Sequence, residues 1–257
     1  CLPWLTMRRW AGRLLALATC TARRPDSVYE IYWDAGQPDC LEGRNCSNTR
    51  DAVDVTRFGL RDTNWTETAS NPERGDPGST FPTIDANGTA LFGGVPQAGN
   101  LSAHVAALRA SIEAWIPEAG WAGNAVFDFE KWCPVWELTD PPYRTLSIAR
   151  VQAAHPDWPA AKVSAQAKQE FEAAALEWFL STLETAKAVR PRALWGFYGF
   201  PKVEMWVEGW EALALQQQPL VDASTALWPD IYLHLPSASE APDSVRQQEL
   251  AHVNATV

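Results

Sequence analysis

Two acidic residues, Asp128 and Glu130, stand two positions apart at the end of an apolar segment. Residues i and i+2 of a β-strand point to the same face of a sheet, so both carboxyl groups would face one way. Phe127 and Phe129 would face the other way, where covering helices bury them. Two crowded carboxyls beside an apolar wall resist ionisation, so one of them would keep its proton toward neutral pH. A protonated carboxyl beside an ionised one suits general acid catalysis on a glycosidic oxygen.

The competing interpretation of this short motif is a strand that ends in acids because it ends in solvent. The surrounding chain favours the first interpretation, since strands and helices alternate. Strands are predicted over residues 28–33, 124–132, 193–200 and 227–235. Helices are predicted over 100–116 and 159–189, where apolar residues recur at helical spacing. This order is typical of βα units around a parallel sheet, and in a (β/α) barrel the strand C-termini line the active site.

Length and composition limit the class of protein. The 257 residues carry a net charge of −10 and are 46% hydrophobic, as expected for one large globular domain or two small ones. The acidic balance argues against a general nucleic-acid binder, and no apolar stretch reaches the roughly 18 residues of a membrane span. Segment 34–96, rich in Gly, Pro and Asn, is predicted to be loop with at most a weak strand. The 14 Trp residues belong either to the core or to the stacking walls of a sugar site.

The N-terminal region indicates secretion. Residues 1–22 are predicted to be a leader, because a basic head precedes a short apolar middle and small residues, and 23–257 would form the domain. An amphipathic N-terminal helix is the alternative interpretation. N-x-[ST] glycosylation triplets begin at Asn45, Asn64, Asn87, Asn100 and Asn254. We therefore expect a glycoprotein that is secreted to the extracellular space or to lysosomes.

Cysteine usage predicts neither a metal site nor a settled disulfide. Removal of the leader leaves Cys40, Cys46 and Cys133, an odd number. Cys40 and Cys46 could close a small loop, or either could pair with a cysteine outside this chain. No Cys/His cluster has zinc spacing and no nucleotide-binding fingerprint occurs, so we expect no metal and no cofactor.

Residues 123–136, GNAVFDFEKWCPVW, resemble the signature strand of the hyaluronidases, glycoside hydrolase family 56. The likeness spans about residues 28–236 and is dense from 92 to 201. Other segments resemble the family in the same order, at 31–33, 92–101 (FGGVPQAGNL), 142–147, 155–158, 167–171, 190–201 and 231–233. The resemblance implies an α/β fold, a TIM-like (β/α) barrel, that hydrolyses β-linked N-acetylhexosamine polymers, chiefly hyaluronan.

The resemblance also implies roles for individual residues. Glu130 matches the proton donor, and Asp128 matches the acid that orients the acetamido group of the substrate. Tyr198 and Tyr232 match the tyrosines that contact this sugar, and Trp195, in the fourth-strand motif, is expected to bind substrate with them. The implied mechanism is substrate-assisted and retaining, an exception to the scheme in which a second carboxylate is the nucleophile.

Several positions depart from the family pattern. Cys133 stands where the family usually has Arg, and Val203 stands where relatives often carry a disulfide cysteine. Cys40 matches a family cysteine whose partner lies in the last part of the barrel, so we expect it to be unpaired unless Cys46 captures it. The second strand is poorly recognisable between Thr63 and Pro82. Because the sequence stops soon after the fifth strand, the resemblance implies an incomplete barrel that lacks its final strands.

Three functions are compatible with these features. The first is a hyaluronidase-type enzyme acting on hyaluronan or chondroitin. The second is a catalytically impaired relative that binds glycosaminoglycan, in keeping with the acidic balance and the lost Arg. The third is a chitinase-like hydrolase of an uncharged N-acetylglucosamine polymer. In each case the partner is a polysaccharide, with no nucleic acid and no membrane span, and we expect a complete protein to be a monomer.

Overall fold

The structure, a computed structural model, describes residues 80–204 and 207–229, the strand segments 32–33, 61–62 and 66–67, and the single positions 247 and 251. The chain divides into two units, Cys1–Thr63 and Asn64–Val257. In the first unit, β1 (Tyr32–Trp33) pairs in parallel with β2 (Arg61–Asp62). The predicted leader, Cys40, Cys46 and the triplets at Asn45, Asn64 and Asn254 lie outside the described residues or extend beyond them.

A three-stranded parallel sheet organises the second unit. Its strands are β3 (Thr66–Glu67), β6 (Asn124–Phe127) and β7 (Leu194–Phe197), in that order. All four residues of β6 are buried, as expected for a central parallel strand with neighbours on both sides. The predicted parallel arrangement is confirmed. Strand β3 lies where the sequence showed a second strand only poorly, and its length of two residues agrees with the weak strand allowed there.

Three helices cover this unit. Helix α1 (Leu101–Trp115) begins at the cap residue Asn100, α2 spans Pro141–Ala154, and α3 spans Ala160–Val189. Helices α1 and α3 were predicted from apolar periodicity, but α2 was not. Its buried positions include Ser147, whose hydroxyl donates to Tyr143 O at 2.8 Å, so a polar residue interrupts the apolar pattern. Two short helices follow, α4 (Trp210–Gln216) and α5 (Gln218–Ala223).

The segment predicted as loop contains short strands. Besides β2 and β3 it holds a hairpin of β4 (Thr83–Ile84) and β5 (Ala90–Leu91), which pair antiparallel. Of the predicted strand 227–235 the structure describes residues 227–229, where Trp228 forms single bridges to Tyr198 and Phe200 beyond the end of β7.

An aromatic core lies between the sheet and α3. The ring of Phe179 on α3 lies 4.2 Å from Phe197 of β7 and 6.2 Å from Phe129 just after β6. Because Trp, Phe and Leu side chains from α3 fill this space, the carboxyl ends of β6 and β7 are held on a rigid base. The two strand ends are where the predicted acidic and tyrosine residues lie.

Candidate active site

Strand β6 stops one residue before the predicted carboxylate pair. Its last ladder bond is donated from Tyr198 N to Phe127 O, at 3.0 Å. Asp128 and Glu130 therefore lie in the connection at the carboxyl end of β6, and the predicted continuation of the strand to Trp132 is wrong. Asp128 is half-buried and Glu130 is exposed. A carboxyl group at this edge of a parallel sheet can meet a ligand from solvent.

Buried aromatic residues hold the chain on both sides of Glu130. Phe129, 2% exposed, stacks on Phe81 with ring centroids 4.2 Å apart. Trp132, also 2% exposed, packs edge-on against Phe129 at 4.9 Å and donates from Nε1 to Pro82 O at 2.6 Å. The predicted burial of Phe129 against the covering helices is confirmed. These contacts fix the backbone that carries Glu130 without burying its side chain.

The segment after Trp132 is bound to α3. Glu172 on α3 accepts from Trp136 N at 3.0 Å, and Lys168, one turn earlier, pairs with Glu137 at 2.5 Å. The hydrogen bond to Glu137 raises the pKa of Lys168, so the lysine stays charged at neutral pH. Thr139 Oγ1 lies 3.0 Å from the carbonyl oxygens of both Cys133 and Val135 and closes the loop.

Cys133 is a free, buried thiol. Burial raises its pKa, because an apolar environment disfavours the thiolate. Its Sγ lies 3.4 Å from Val135 O. The position at which the family usually has Arg is therefore neutral here and does not present a charge to a ligand.

Tyr198 lies beside the carboxylate motif, at the end of the neighbouring strand. Phe127 of β6 and Phe197 of β7 are paired, and Asp128 and Tyr198 each follow by one residue. Tyr198 is half-buried and directly follows β7. The structure thus brings Asp128, Glu130 and Tyr198 to the same sheet edge. Tyr232, predicted to join them, lies outside the described residues.

Trp195 occupies a different environment. Its side chain is 0% exposed, stacks on Phe127 at 5.1 Å and donates from Nε1 to Arg190 O at 3.1 Å. It lies three residues before Tyr198, and side chains alternate between faces along a strand. We therefore assign Trp195 to the core and remove it from the residues proposed to touch substrate.

Sequence reasoning missed the residues that support the site. Phe81 and Pro82 lie in the segment predicted as loop. Glu172 lies on a predicted helix, but no sequence pattern indicates that it accepts from Trp136 N. The apolar pair Phe81–Pro82, immediately before β4, was the one available signal. Within the described ranges there is no group of three or more His, Cys, Asp or Glu side chains able to hold a metal ion. None of the described helices is both long and apolar enough to cross a membrane.

Comparison with known proteins finds the same family in sequence models and in individual relatives. Residues 25–208 match the family model for hyaluronidase. Hyaluronidase-1 of Homo sapiens is 39% identical over 184 residues, covering 69% of this chain and 41% of that protein. Hyaluronidase-2 of Mus musculus is 43% identical over 169 residues, covering 60% of this chain and 36% of that protein. The chain thus spans less than half the length of these two relatives.

A solved structure also resembles this chain. Bee venom hyaluronidase, crystallised in complex with a hyaluronic acid tetramer, superimposes with a TM-score of 0.65 at 26% identity, covering 89% of this chain and 75% of that one. The parallel strands and covering helices described above are therefore part of an α/β, TIM-like barrel of this type. With the family model matching most of its length, the chain belongs to the hyaluronidase family.

Proposed function

We propose that this protein is a hyaluronidase-type endo-β-N-acetylhexosaminidase that hydrolyses hyaluronan, with Glu130 as the proton donor. The observation that carries the proposal is the position of Glu130, exposed at the carboxyl end of β6 between the buried rings of Phe129 and Trp132. Membership of the hyaluronidase family supports it, as does the likeness to an enzyme crystallised with a hyaluronic acid tetramer.

The proposed reaction is substrate-assisted. The acetamido oxygen of the N-acetylhexosamine attacks its own anomeric carbon, while Glu130 gives its proton to the leaving glycosidic oxygen, whose bond to that carbon breaks. Asp128 orients the acetamido group and stabilises the positive charge on the cyclic intermediate. Water then attacks the anomeric carbon, the bond from that carbon to the acetamido oxygen breaks, and Glu130 takes a proton from the water, so the configuration is retained. Tyr198 and Tyr232 contact the same sugar.

Two observations favour a second candidate substrate. Cys133 replaces the usual Arg with a buried thiol whose pKa is raised, so a cation is absent at this position. The net charge of −10 also opposes long-range attraction of a polyanion. Both features suit an uncharged N-acetylglucosamine polymer better than hyaluronan or chondroitin. We rank this chitinase-like activity second, because the family and the solved neighbour both favour hyaluronan.

We also propose that the protein is secreted or lysosomal. The basic and apolar pattern of residues 1–22 and the glycosylation triplets support a secreted or lysosomal glycoprotein. A polymer such as hyaluronan is met outside the cytosol, so this location agrees with the proposed substrate.

Inhibition and trapping test the chemistry. A thiazoline mimic of the cyclic intermediate should inhibit the enzyme competitively, since its ring cannot be opened as the natural oxazolinium ring is. Reducing-end release should be compared on hyaluronan, chondroitin and chitin oligomers, and we expect hyaluronan to be cleaved fastest. Mass spectrometry of stopped reactions should find no sugar on Asp128. A covalent adduct on Asp128, or failure of the thiazoline on an active enzyme, would contradict the mechanism.

A further inference from the structure

Two of the N-x-[ST] triplets, at Asn87 and Asn100, lie wholly among the described residues, and the proposed reaction uses neither. Asparagine glycosylation attaches a bulky polar group to Nδ2, so the modified side chain must face solvent. Both asparagines are exposed. What distinguishes them is how their carboxamide groups are engaged.

Asn87 lies at the tip of the hairpin that joins β4 to β5. Gly88 N donates to Asp85 O at 2.9 Å, and Asp85 N donates to Thr89 O at 3.0 Å. The Asp85 carboxylate also accepts from the backbone N–H groups of Asn87 and Thr89, at 2.9 and 2.8 Å. Gly88 has a φ of +82°, a conformation that favours glycine. The turn is therefore ordered by its backbone and by Asp85, and this order does not depend on the Asn87 side chain.

The space around this tip is open. A Cβ atom placed on Gly88 would have no atom within 4 Å apart from those of Gly88 itself and its two chain neighbours. The side chains of Asn87 and Thr89 are both exposed. Among the described residues none hydrogen-bonds to the Asn87 carboxamide, so its Nδ2 can be substituted without breaking a contact.

Asn100 uses its carboxamide to begin α1. Its Oδ1 accepts from Ala103 N and from the Ser102 hydroxyl, both at 3.0 Å. Ser102 is the hydroxyl residue of the same triplet. The Asn100 carboxamide and the Ser102 hydroxyl are therefore bonded to each other, and the carboxamide is also bonded to the first turn of α1. Loss of such a cap costs about 1 kcal/mol. These bonds use Oδ1 of Asn100 and the Ser102 hydroxyl, so a transferase that engages this triplet must compete with them, whereas none of the described residues makes such a bond to the Asn87 carboxamide.

We propose that Asn87 is a site of N-linked glycosylation, occupied to a greater extent than Asn100. Nδ2 of Asn87 attacks the anomeric carbon of a lipid-linked oligosaccharyl diphosphate and forms a C–N bond. The bond from that carbon to the diphosphate oxygen breaks, and the lipid diphosphate leaves with the electron pair. One amide proton passes to a base on the transferase. The proposal rests on the secretory location proposed above but not on the proposed catalysis.

Substitutions at Thr89 test this site while leaving Asn87 in place. The full chain, directed to the secretory pathway of a eukaryotic host, should be analysed by glycopeptide mass spectrometry in both medium and cell lysate. Thr89→Ala destroys the triplet, whereas the matched control Thr89→Ser preserves it, and neither changes the backbone bonds of the turn. We expect a glycan on Asn87 in the wild type and in Thr89→Ser, its complete loss in Thr89→Ala, and lower occupancy at Asn100.

Two results would overturn the proposal. One is an unmodified Asn87 in wild-type protein that carries glycans at other triplets. The other is an occupancy at Asn100 equal to or above that at Asn87. Reducing-end release measured on the same samples keeps this question separate from catalysis, because an inactive protein glycosylated at Asn87 would contradict only the proposed activity.

Discussion

The imidazole of His104 lies on α1 with 0% exposure, between the hydroxyl groups of Thr80 and Thr182. Thr182 donates its own proton to Trp178 O at 2.7 Å, so its oxygen accepts from Nε2–H of His104 at 3.0 Å. Nδ1, 3.1 Å from Thr80 Oγ1, then accepts from that hydroxyl. The contacts specify one neutral tautomer, and burial lowers the pKa of His104 to about 4.

This shift predicts a pH-dependent stability. Because the folded pKa of about 4 lies below the ordinary histidine pKa of 6.5, the unfolded chain binds more protons between these values. His104 therefore contributes stability that is present above pH 6.5 and is lost as pH falls toward 4. In urea unfolding, the wild type should lose about 2 kcal/mol more than His104→Gln between neutral pH and roughly pH 4.5. Equal losses in the two proteins would show that His104 does not titrate in this way.

At the scale of elements, the connection after β6 is held by contacts distant in sequence. Trp132 bonds to Pro82 beside the β4–β5 hairpin, and Trp136 bonds to Glu172 on α3. Glu172 also accepts from Gln216 of α4 at 3.0 Å. The chain beside the hairpin and helix α3 thus contact the segment that carries Glu130, and α4 contacts the α3 residue that holds it, as expected where a reactive group must be held in one geometry.

The bond from Trp132 to Pro82 can be removed with little change in shape. Trp132→Phe keeps an aromatic ring beside Phe129 but leaves Pro82 O without its donor, which should cost about 1–3 kcal/mol of unfolding free energy. If this bond positions Glu130, kcat should fall by roughly 10–100-fold while KM changes little. The matched control Trp158→Phe, in the turn between α2 and α3, should keep wild-type kcat. A Trp132→Phe protein that is less stable but has normal kcat would leave Trp132 a purely structural role.

Elements with a strong apolar period were predictable, and their long-range partners were not. Helices α1 and α3 and the buried strand β6 follow from local pattern. Strand β6 ends at Phe127 because the chain turns to bury Phe129 and Trp132 against residues some 50 positions earlier, and no local pattern encodes that. Helix α2 was missed because Ser147 is buried through a hydrogen bond.

The residues at the ends of the strands were predictable, and the residues that support them were not. Asp128, Glu130 and Tyr198 reach one sheet edge because they follow neighbouring parallel strands, a relation that strand order alone implies. Trp195 was misplaced, although it lies an odd number of residues from Tyr198 and strand alternation would have put it on the opposite face. The supporting contacts of Phe81, Pro82 and Glu172 depend on tertiary packing and have no counterpart in a motif.

At the scale of the whole molecule, the part of the chain that matches the hyaluronidase family also carries the candidate site. The family match covers residues 25–208, which contain β6, β7 and α3 and therefore the candidate site. The chain covers 41% of human Hyaluronidase-1, so catalysis by this chain is a proposal that must be tested on the isolated protein. The central claim is that Glu130 transfers a proton to a glycosidic oxygen.

Reducing-end release from hyaluronan by Glu130→Gln tests that point most directly. The substitution keeps the shape of the side chain and removes the transferable proton, so kcat should fall by roughly 10²–10⁴-fold with an unchanged melting temperature. Glu113→Gln, an equivalent change at an exposed position on α1, is the matched control and should retain wild-type kcat. Wild-type cleavage by Glu130→Gln, or hyaluronan that is bound but not cleaved by the wild-type chain, would contradict the proposed function.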